Sequence, residues 1–320
     1  MKKHKLPFAL SEPEITIVRA ISNYSTLSVR EISGIAGKSE SSVSQGVKGL
    51  LRNGIVRIQR KGMKKYIEIS DRNYAISLLE MIKARPYIPW EKILSNSNIA
   101  ILFNKIMGEN TFDYGLSRAS LWRGIRNLSM YGMLNRDDEE KLFMDRYLWH
   151  FISEYFDHVS MKYLLEKLPK DAIIIWRDGY RCLYRIRDLP DKESKKFPSS
   201  TLRTGVSALP DYGIQLMTSD SYFYYGPKLE SLSVEDIIIH TLLVDPLSQI
   251  YATYALLLAF KVKYSLNLAL LSEKSRSYKL EDEVSNLIKY LKSLGKIREW
   301  PLPKIEEFQE QADLYGIVIN

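Results

Sequence analysis

Apolar residues near the N-terminus follow first the spacing of helix faces and then the alternation of strands. The helical spacing fills residues 14–23, 29–36 and 40–53 in turn. Apolar and polar side chains instead alternate over residues 55–59 and 66–69, as they do in strands. This pattern predicts helices followed by a two-stranded hairpin.

The helix predicted over residues 40–53 has a polar outer face. Gly37 ends the helix before it, and Ser39 is placed to cap it. Hydroxyl and amide groups near its start can reach base edges in a major groove, and cations near its end can meet phosphates. The candidates for base edges are Ser39, Ser41, Ser44 and Gln45, and those for phosphates are Lys48 and Arg52.

Cations surround a glycine between the two predicted strands, in the run Arg60-Lys61-Gly62-Met63-Lys64-Lys65. A charged hairpin tip is often merely solvated. Here it follows a turn-linked pair of helices, and this order favours a hairpin that lies along a phosphate backbone. The candidate phosphate ligands at the tip are Arg60, Lys61, Lys64 and Lys65.

The run SVSQGVKGLLRNGIVRIQRKGMKKYIEIS resembles the MarR-like and ArsR-like winged-helix transcription regulators. The resemblance implies a winged helix-turn-helix with double-stranded DNA as partner. Residues 40–53 would be its recognition helix and residues 57–66 its basic wing. In many such regulators a helix at the position of residues 73–84 dimerises or links to the next domain, so the sequence leaves a homodimer open.

The positive charge of the chain is concentrated in the same region. Residues 1–70 hold 13 Lys and Arg against 5 Asp and Glu, which equals the whole formal net charge of +8. The cations and carboxylates of residues 71–320 therefore balance. A surface for phosphate is expected where the excess lies.

A second segment repeats the first at a constant offset. Aligning Ser42 with Ser120 places SVSQGVKGLLRNGIV over SLWRGIRNLSMYGML, with glycines at matching positions. Ser117 would open the second recognition-like helix, which carries Trp122 on its outer face. The four carboxylates of residues 137–140 would repel phosphate, so DNA contact by this segment stays open. Its candidates for such contact are Arg118, Arg123 and Arg126.

The C-terminal half changes period again. Strands are predicted in pairs over 172–178 with 181–188 and within 213–226, and residues 189–210 are predicted to form a loop. Further helices are predicted over residues 233–243, 247–259, 280–294 and 305–314.

The predicted fold class is α+β, with tandem winged helix-turn-helix units followed by a mixed α+β domain. The predicted domains are residues 1–85, residues 86–150, and residues 151–320. The last domain would provide contacts to a partner, an effector or an oligomer. The function expected is that of a sequence-specific transcriptional regulator that binds double-stranded DNA.

The run LESLSVEDIIIHTLLVDP resembles a helix start in nucleotidyltransferase-like proteins and in AbiEi-type antitoxin regulators. The matching residues are Ser233, Glu235, Asp236, Ile237 and Ile238. This resemblance implies an alternative function. The chain would be an antitoxin-like or scaffolding protein whose C-terminal domain binds a protein partner, and DNA binding would serve autoregulation.

Motifs for catalysis are absent from the sequence. Residues 171–320 contain neither Gly-Ser nor Asp-x-Asp, which a nucleotidyltransferase needs to hold its metal ions. His150 and His158 are too far apart in sequence for a metal pair on one helix face. We therefore predict no enzymatic activity, no catalytic residue, no metal ion and no cofactor.

The single cysteine, Cys182, excludes an internal disulfide and fits a reducing compartment. Its apolar strand pattern indicates a buried structural thiol. The most apolar run, residues 254–262, is too short to span a membrane. We therefore expect a cytoplasmic protein without a membrane partner.

Overall fold

A computed structural model of the chain shows two compact units, residues 1–160 and residues 161–320. The structure describes residues 10–107, 115–136, 142–187, 197–227 and 230–319. Both units combine helices with antiparallel strands, so the fold is α+β as predicted. The domain boundary expected at residues 150/151 falls inside a continuous helix. Among the described residues, no helix is both long enough and apolar enough to cross a membrane.

The elements of the first unit, in chain order, are α1 Glu12–Asn23, α2 Val29–Ala36, α3 Glu40–Arg52, β1 Val56–Lys61, β2 Lys64–Ile69, α4 Asn73–Ala84, α5 Trp90–Ile93, α6 Asn96–Ile106, α7 Arg118–Met130, β3 Leu134–Arg136, β4 Leu142–Met144 and α8 Arg146–Lys167, the last of which continues into the second unit. The second unit then contains β5 Ile173–Asp178, β6 Arg181–Arg187, β7 Thr201–Arg203, a 3₁₀ helix Gly205–Tyr212, β8 Asp220–Tyr225, α9 Val234–Val244, α10 Gln249–Lys261, α11 Leu268–Tyr278, α12 Glu281–Ser293 and α13 Ile305–Leu314.

Helix α3 packs against α1 at Gly46, where the side chain of Ile17 on α1 fills the space that a β-carbon of α3 would need. A β-carbon at Gly46 would lie 2.6 Å from Cδ1 of Ile17, which is closer than packed atoms approach. The aligned glycine of the second segment, Gly124, has the same role. A β-carbon there would lie 2.3 Å from Cδ1 of Ile101 on α6. The sequence repeat thus corresponds to a repeated steric contact between helices.

The aligned helices α3 and α7 also end in the same way. Gly54 and Gly132 both have positive φ, +65° and +68°, a conformation that glycine adopts at low cost. The next residue donates its N–H to a carbonyl of the helix, Ile55 to Leu50 at 2.9 Å and Met133 to Leu128 at 2.8 Å. A short antiparallel hairpin follows each helix, β1–β2 after α3 and β3–β4 after α7.

An aromatic core in the first unit joins α4, α6 and the start of α8. The ring of Tyr155 on α8 is fully buried, with its centroid 5.5 Å from Tyr74 on α4 and 6.3 Å from Phe103 on α6. An ion pair of 2.7 Å between Arg85 and Asp145 adds a polar contact beside α8. Helix α8 therefore packs against elements of both repeats.

The second unit contains an antiparallel sheet with strand order β5-β6-β8-β7. The prediction of a strand pair within residues 213–226 is wrong, because only β8 forms there. Gln215 lies in the segment expected to be the other strand, and its carbonyl accepts a hydrogen bond of 2.6 Å from the Tyr315 hydroxyl. Residues 189–210, expected to be a loop, contain β7 and most of the 3₁₀ helix.

Helices α9 to α13 cover the sheet and form the larger core of the second unit. Helix α11 was not predicted, because only Leu271 and Ser275 are buried in it and its apolar pattern is weak. Asn267 nevertheless caps α11, since its side-chain oxygen accepts the N–H groups of Ala269 and Leu270.

A polar network is buried between the sheet and these helices. The ring nitrogens of His240 on α9 lie 2.7 Å from Oγ1 of Thr204 and 2.9 Å from the hydroxyl of Tyr278. Burial lowers the pKa of His240 to about 4. The negative charge of Asp236 acts in the opposite direction and raises this pKa, whereas the positive charge of Lys274 lowers it further. His240 is therefore neutral and hydrogen-bonded through both ring nitrogens at neutral pH.

We predict that Gly46→Ala lowers the free energy of unfolding by about 1–3 kcal/mol, because the added methyl group overpacks the α1–α3 contact. Ile17→Val in the same chain removes the clashing Cδ1 atom and should recover part of the loss. Gly34→Ala is the matched control, since nothing lies within 4 Å of its added β-carbon, and it should stabilise α2 by up to about 1 kcal/mol. Urea unfolding followed by circular dichroism measures all three. Equal effects at Gly46 and Gly34 would contradict the proposed contact.

We predict that the chain loses stability between about pH 6.5 and pH 4 through His240. The unfolded histidine binds a proton below about pH 6.5, whereas the folded one resists it, so acid favours unfolding in this interval. The contribution is complete above the interval and amounts to about 2 kcal/mol lost by pH 5. Unfolding at several pH values should show a flatter dependence for His240→Gln than for the wild type. The same dependence in both proteins would refute the assignment.

Candidate nucleic-acid interface

The outer face of α3 presents the side chains that the sequence predicts. Ser41, Gln45, Lys48 and Arg52 are exposed, and Ser44 is half-buried. The opposite face is buried against the core of the unit. The helix therefore offers an accessible hydroxyl and amide in its first half and cations in its second half.

Ser39 has a structural contact as well as an exposed position. Its Oγ accepts the N–H of Ser42 at 3.2 Å and so caps α3. The hydroxyl hydrogen is not used by this bond. Ser39 can therefore cap the helix and still donate a hydrogen bond outward.

The four cations of the hairpin lie in its strands rather than in a loop. Strands β1 and β2 extend to the turn, so that Arg60 faces Lys65 and Lys61 faces Lys64. Gly62, with φ +61°, and Met63 form the two-residue turn between them. The expected tip loop is shorter than predicted because glycine permits this tight turn.

The end of the hairpin carries like charges in directly opposed pairs. Within the described residues, no carboxylate lies within ion-pair distance of any of these four cations. The ammonium of Lys61 lies 5.5 Å from the ring centroid of Tyr66 on the same face. Hydrogen bonds from Ser28 lower the pKa of Glu31, and the nearby charge of Lys64 adds to this effect. The four cations are open to solvent and make the end of the hairpin basic, with Lys61 and Lys64 on one face and Arg60 and Lys65 on the other.

The base of the hairpin has a different arrangement of charge, which the sequence reasoning did not find. Nε of Arg57 lies 2.8 Å from Oε1 of Glu68, and Nη1 lies 3.0 Å from Oδ2 of Asp71. The hydrogen bond to Glu68 and the charges of both carboxylates raise the pKa of Arg57. The pairing of Arg57 with Glu68 can be predicted from the sequence once the hairpin register is known, because residues 57 and 68 are then directly opposite each other.

Hydrogen bonds tie the end of α3 to the hairpin and to α4. The Ser70 hydroxyl donates to the Gly54 carbonyl at 2.6 Å, and the Tyr74 hydroxyl donates to the Asn53 carbonyl at 2.8 Å. The ring of His158 on α8 stacks on Tyr74 with centroids 4.8 Å apart. The orientation of α3 relative to the hairpin is therefore held by contacts at one junction.

The second repeat exposes an arginine-rich helix face. Arg118, Arg123 and Arg126 on α7 are exposed, and α7 contains no carboxylate. The side chain of Trp122 is 61% exposed, and the guanidinium of Arg126 lies 5.3 Å from its ring centroid. Nε of Arg123 donates to the carbonyl of Ala119 in the same helix. The acidic run of residues 137–140 lies outside the described residues.

The carboxylates singled out in the C-terminal half have structural partners. Ser233 caps α9 and Asp236 completes a capping box. Burial raises the pKa of the Asp236 carboxyl, but the hydrogen bond and charge of Lys274 and the backbone hydrogen bond from Ser233 together lower it below its ordinary value. Glu235 is buried and accepts the N–H of Asn267 at 2.9 Å. Both carboxylates therefore stabilise the start of α9 through these contacts and are not free to bind a ligand.

Other titratable side chains considered in the sequence are also in structural positions. Cys182 is fully buried on β6, and burial raises the pKa of its thiol to about 12. His150 is exposed, with Nε2 3.7 Å from Oε1 of Glu154. Among the described residues, no cluster of three or more His, Cys, Asp or Glu side chains is arranged to hold a metal ion.

Comparison with known proteins gives a match for part of the second unit. Comparisons with curated proteins and with solved structures found no significant match. Residues 199–317, which run from β7 to α13, match the model of a protein family described as HVO_2833_C, C-terminal.

Proposed function

We propose that this chain is a sequence-specific transcriptional regulator that binds double-stranded DNA through α3 and the β1–β2 hairpin. In this proposal both repeats are winged helix-turn-helix units. The recognition helix of the first is α3, and its wing is the hairpin. A DNA partner also underlies the cytoplasmic location expected for the protein.

The opposed cation pairs at the end of the hairpin carry the proposal. Like charges directly across an antiparallel pair destabilise it. Arg60 with Lys65 and Lys61 with Lys64 are two such pairs in succession. A polyanion along this edge would remove the repulsion, and the regularly spaced phosphates of duplex DNA are such a ligand. The cations are better suited to an external anion than to the stability of the free hairpin.

The exposed face of α3 supports a role in sequence reading. Gln45 can bond an adenine through both edge atoms, and Ser41 and Ser44 can reach base edges of either kind. Lys48 and Arg52 follow toward the end of the helix, where backbone phosphates border the groove. The hydrogen-bonded junction at Asn53 and Gly54 would hold these two kinds of contact at a fixed angle.

Helix α7 is proposed as an auxiliary DNA contact. Its three arginines are exposed and face no carboxylate of their own helix. Three phosphate contacts would add to the affinity for every sequence without adding base readout.

For the second unit we propose a binding function rather than catalysis. Glu235 and Asp236, the two acids of the run that resembles a helix start in nucleotidyltransferase-like proteins, are engaged by Asn267 and Lys274. This unit would receive an effector, a protein partner or a second copy of the chain.

We predict that α3 and the hairpin contribute to binding in different ways. Lys64→Ala should weaken binding to all duplexes alike and reduce the slope of log K against log salt by about one unit, because one phosphate is no longer neutralised. Gln45→Ala should instead change the order of preference among sequences. Fluorescence anisotropy with random and selected duplexes across a salt series measures both effects.

Lys292→Ala is the matched control for these substitutions, because Lys292 is an exposed lysine of the second unit. It should leave affinity and salt slope unchanged. An unchanged salt slope for Lys64→Ala would count against the wing, and the absence of duplex binding by the wild type would reject the proposed function.

We predict that replacing Arg118, Arg123 and Arg126 together by Gln reduces the salt slope by about one unit for each phosphate that is no longer bound. Sequence preference should stay the same, because these arginines would not read bases. The same replacement of the exposed Arg276, Lys292 and Lys296 serves as control. If both triple variants keep the wild-type slope, DNA contact is confined to the first repeat.

A further inference from the structure

Arg57 is the one arginine of the β1–β2 hairpin whose described contacts are ion pairs within the chain. Its Nε and Nη1 atoms are bonded to Glu68 and Asp71 at 2.8 and 3.0 Å. Its side chain is 53% exposed, and that of Asp71 is 78% exposed. Glu68 is half-buried, with 18% of its side chain exposed, so Arg57 and Asp71 are open to solvent and Glu68 is partly so, next to the proposed DNA contact.

These charges lie on the same face of the hairpin as one of the cation pairs. Successive residues of a strand point to opposite faces, so residues 57, 59 and 61 share a face with their partners 68, 66 and 64. Glu68 is four residues from Lys64, a separation of about 13 Å along the strand. At low ionic strength this distance is within reach of electrostatic interaction, and at high ionic strength it is screened.

We propose that Arg57 supports duplex binding by neutralising Glu68 and Asp71, rather than by contacting a phosphate itself. The proposal rests on the proposed function. Without Arg57, two uncompensated carboxylates would face the strand of DNA that runs along the hairpin. Arg57 is thus a positioning residue, which keeps the electrostatic potential of this face positive.

The chemistry of arginine suits this role. Its planar guanidinium presents several N–H donors in fixed directions, so that one side chain binds two carboxylates at once. A lysine at the same position would offer a point charge without this fixed geometry. The pair with Asp71, which follows β2, also links the two ends of the hairpin where the chain enters α4.

The proposal is tested by a cycle of isosteric substitutions in the full-length protein. Arg57→Gln should weaken binding to a random duplex by about fivefold at low salt, and the difference should shrink as salt screens the carboxylates. Glu68→Gln and Asp71→Asn added to Arg57→Gln should restore the wild-type affinity. Arg276→Gln, the same substitution at an exposed arginine of the second unit, is the control and should leave the affinity unchanged.

A direct phosphate contact by Arg57 predicts a different result. In that case the triple variant would stay as weak as Arg57→Gln, and this outcome would overturn the proposal. An unchanged affinity for Arg57→Gln, in a protein that Lys64→Ala does weaken, would overturn it too. If neither substitution changes binding, the proposed function fails instead, so the two failures are distinguishable.

The same variants distinguish an effect of Arg57 on the structure of the hairpin from an effect of its charge on DNA binding. A purely structural role of Arg57 predicts no recovery when its two partners are removed. If Arg57→Gln lowers the melting temperature, the double variant Glu68→Gln with Asp71→Asn shows whether structure or charge explains the weaker DNA binding. This pair leaves Arg57 unbound and should bind DNA at least as tightly as the wild type, and weaker binding would contradict the proposal.

Discussion

The contact between two helices at a glycine determines the arrangement of the first repeat. With no side chain at Gly46, α3 can approach α1 until Ile17 fills the space where a β-carbon would lie. The buried residues of α3 occupy the same side, so its polar residues necessarily face outward. Because Gly54 then turns the chain directly into β1, the position of the hairpin depends on the same contact. Gly124 has the corresponding effect in the second repeat.

The acidic and basic residues of the first repeat differ in their partners as well as in their number. Arg57 forms ion pairs with Glu68 and Asp71, and Lys38 forms one with Glu12 at 3.4 Å. The cations at the end of the hairpin face one another instead. A net charge alone would not reveal this separation, since it depends on strand register.

Local patterns predicted most elements of the first repeat. The apolar spacing and Gly37 gave α2 with the observed bounds, and the aligned glycines indicated a repeat of structure. The bond from Tyr74 to Asn53 could not be predicted, because it joins residues far apart in sequence. The ion pairs of Arg57 follow only once the hairpin register and the course of the chain after β2 are known. Sequence alternation was also insufficient for residues 213–226, where tyrosine hydroxyls bind a carbonyl that a neighbouring strand would otherwise use.

The burial of Cys182 has a practical consequence for studying the surface of the molecule. The chain has no other cysteine, and a thiol with its pKa raised to about 12 forms very little thiolate at neutral pH. The native protein is therefore nearly inert toward alkylating reagents while it is folded. A cysteine introduced in place of the fully exposed Met63 would be the single reactive thiol, and a DNA-cleaving or fluorescent group attached to it would report what the hairpin turn approaches.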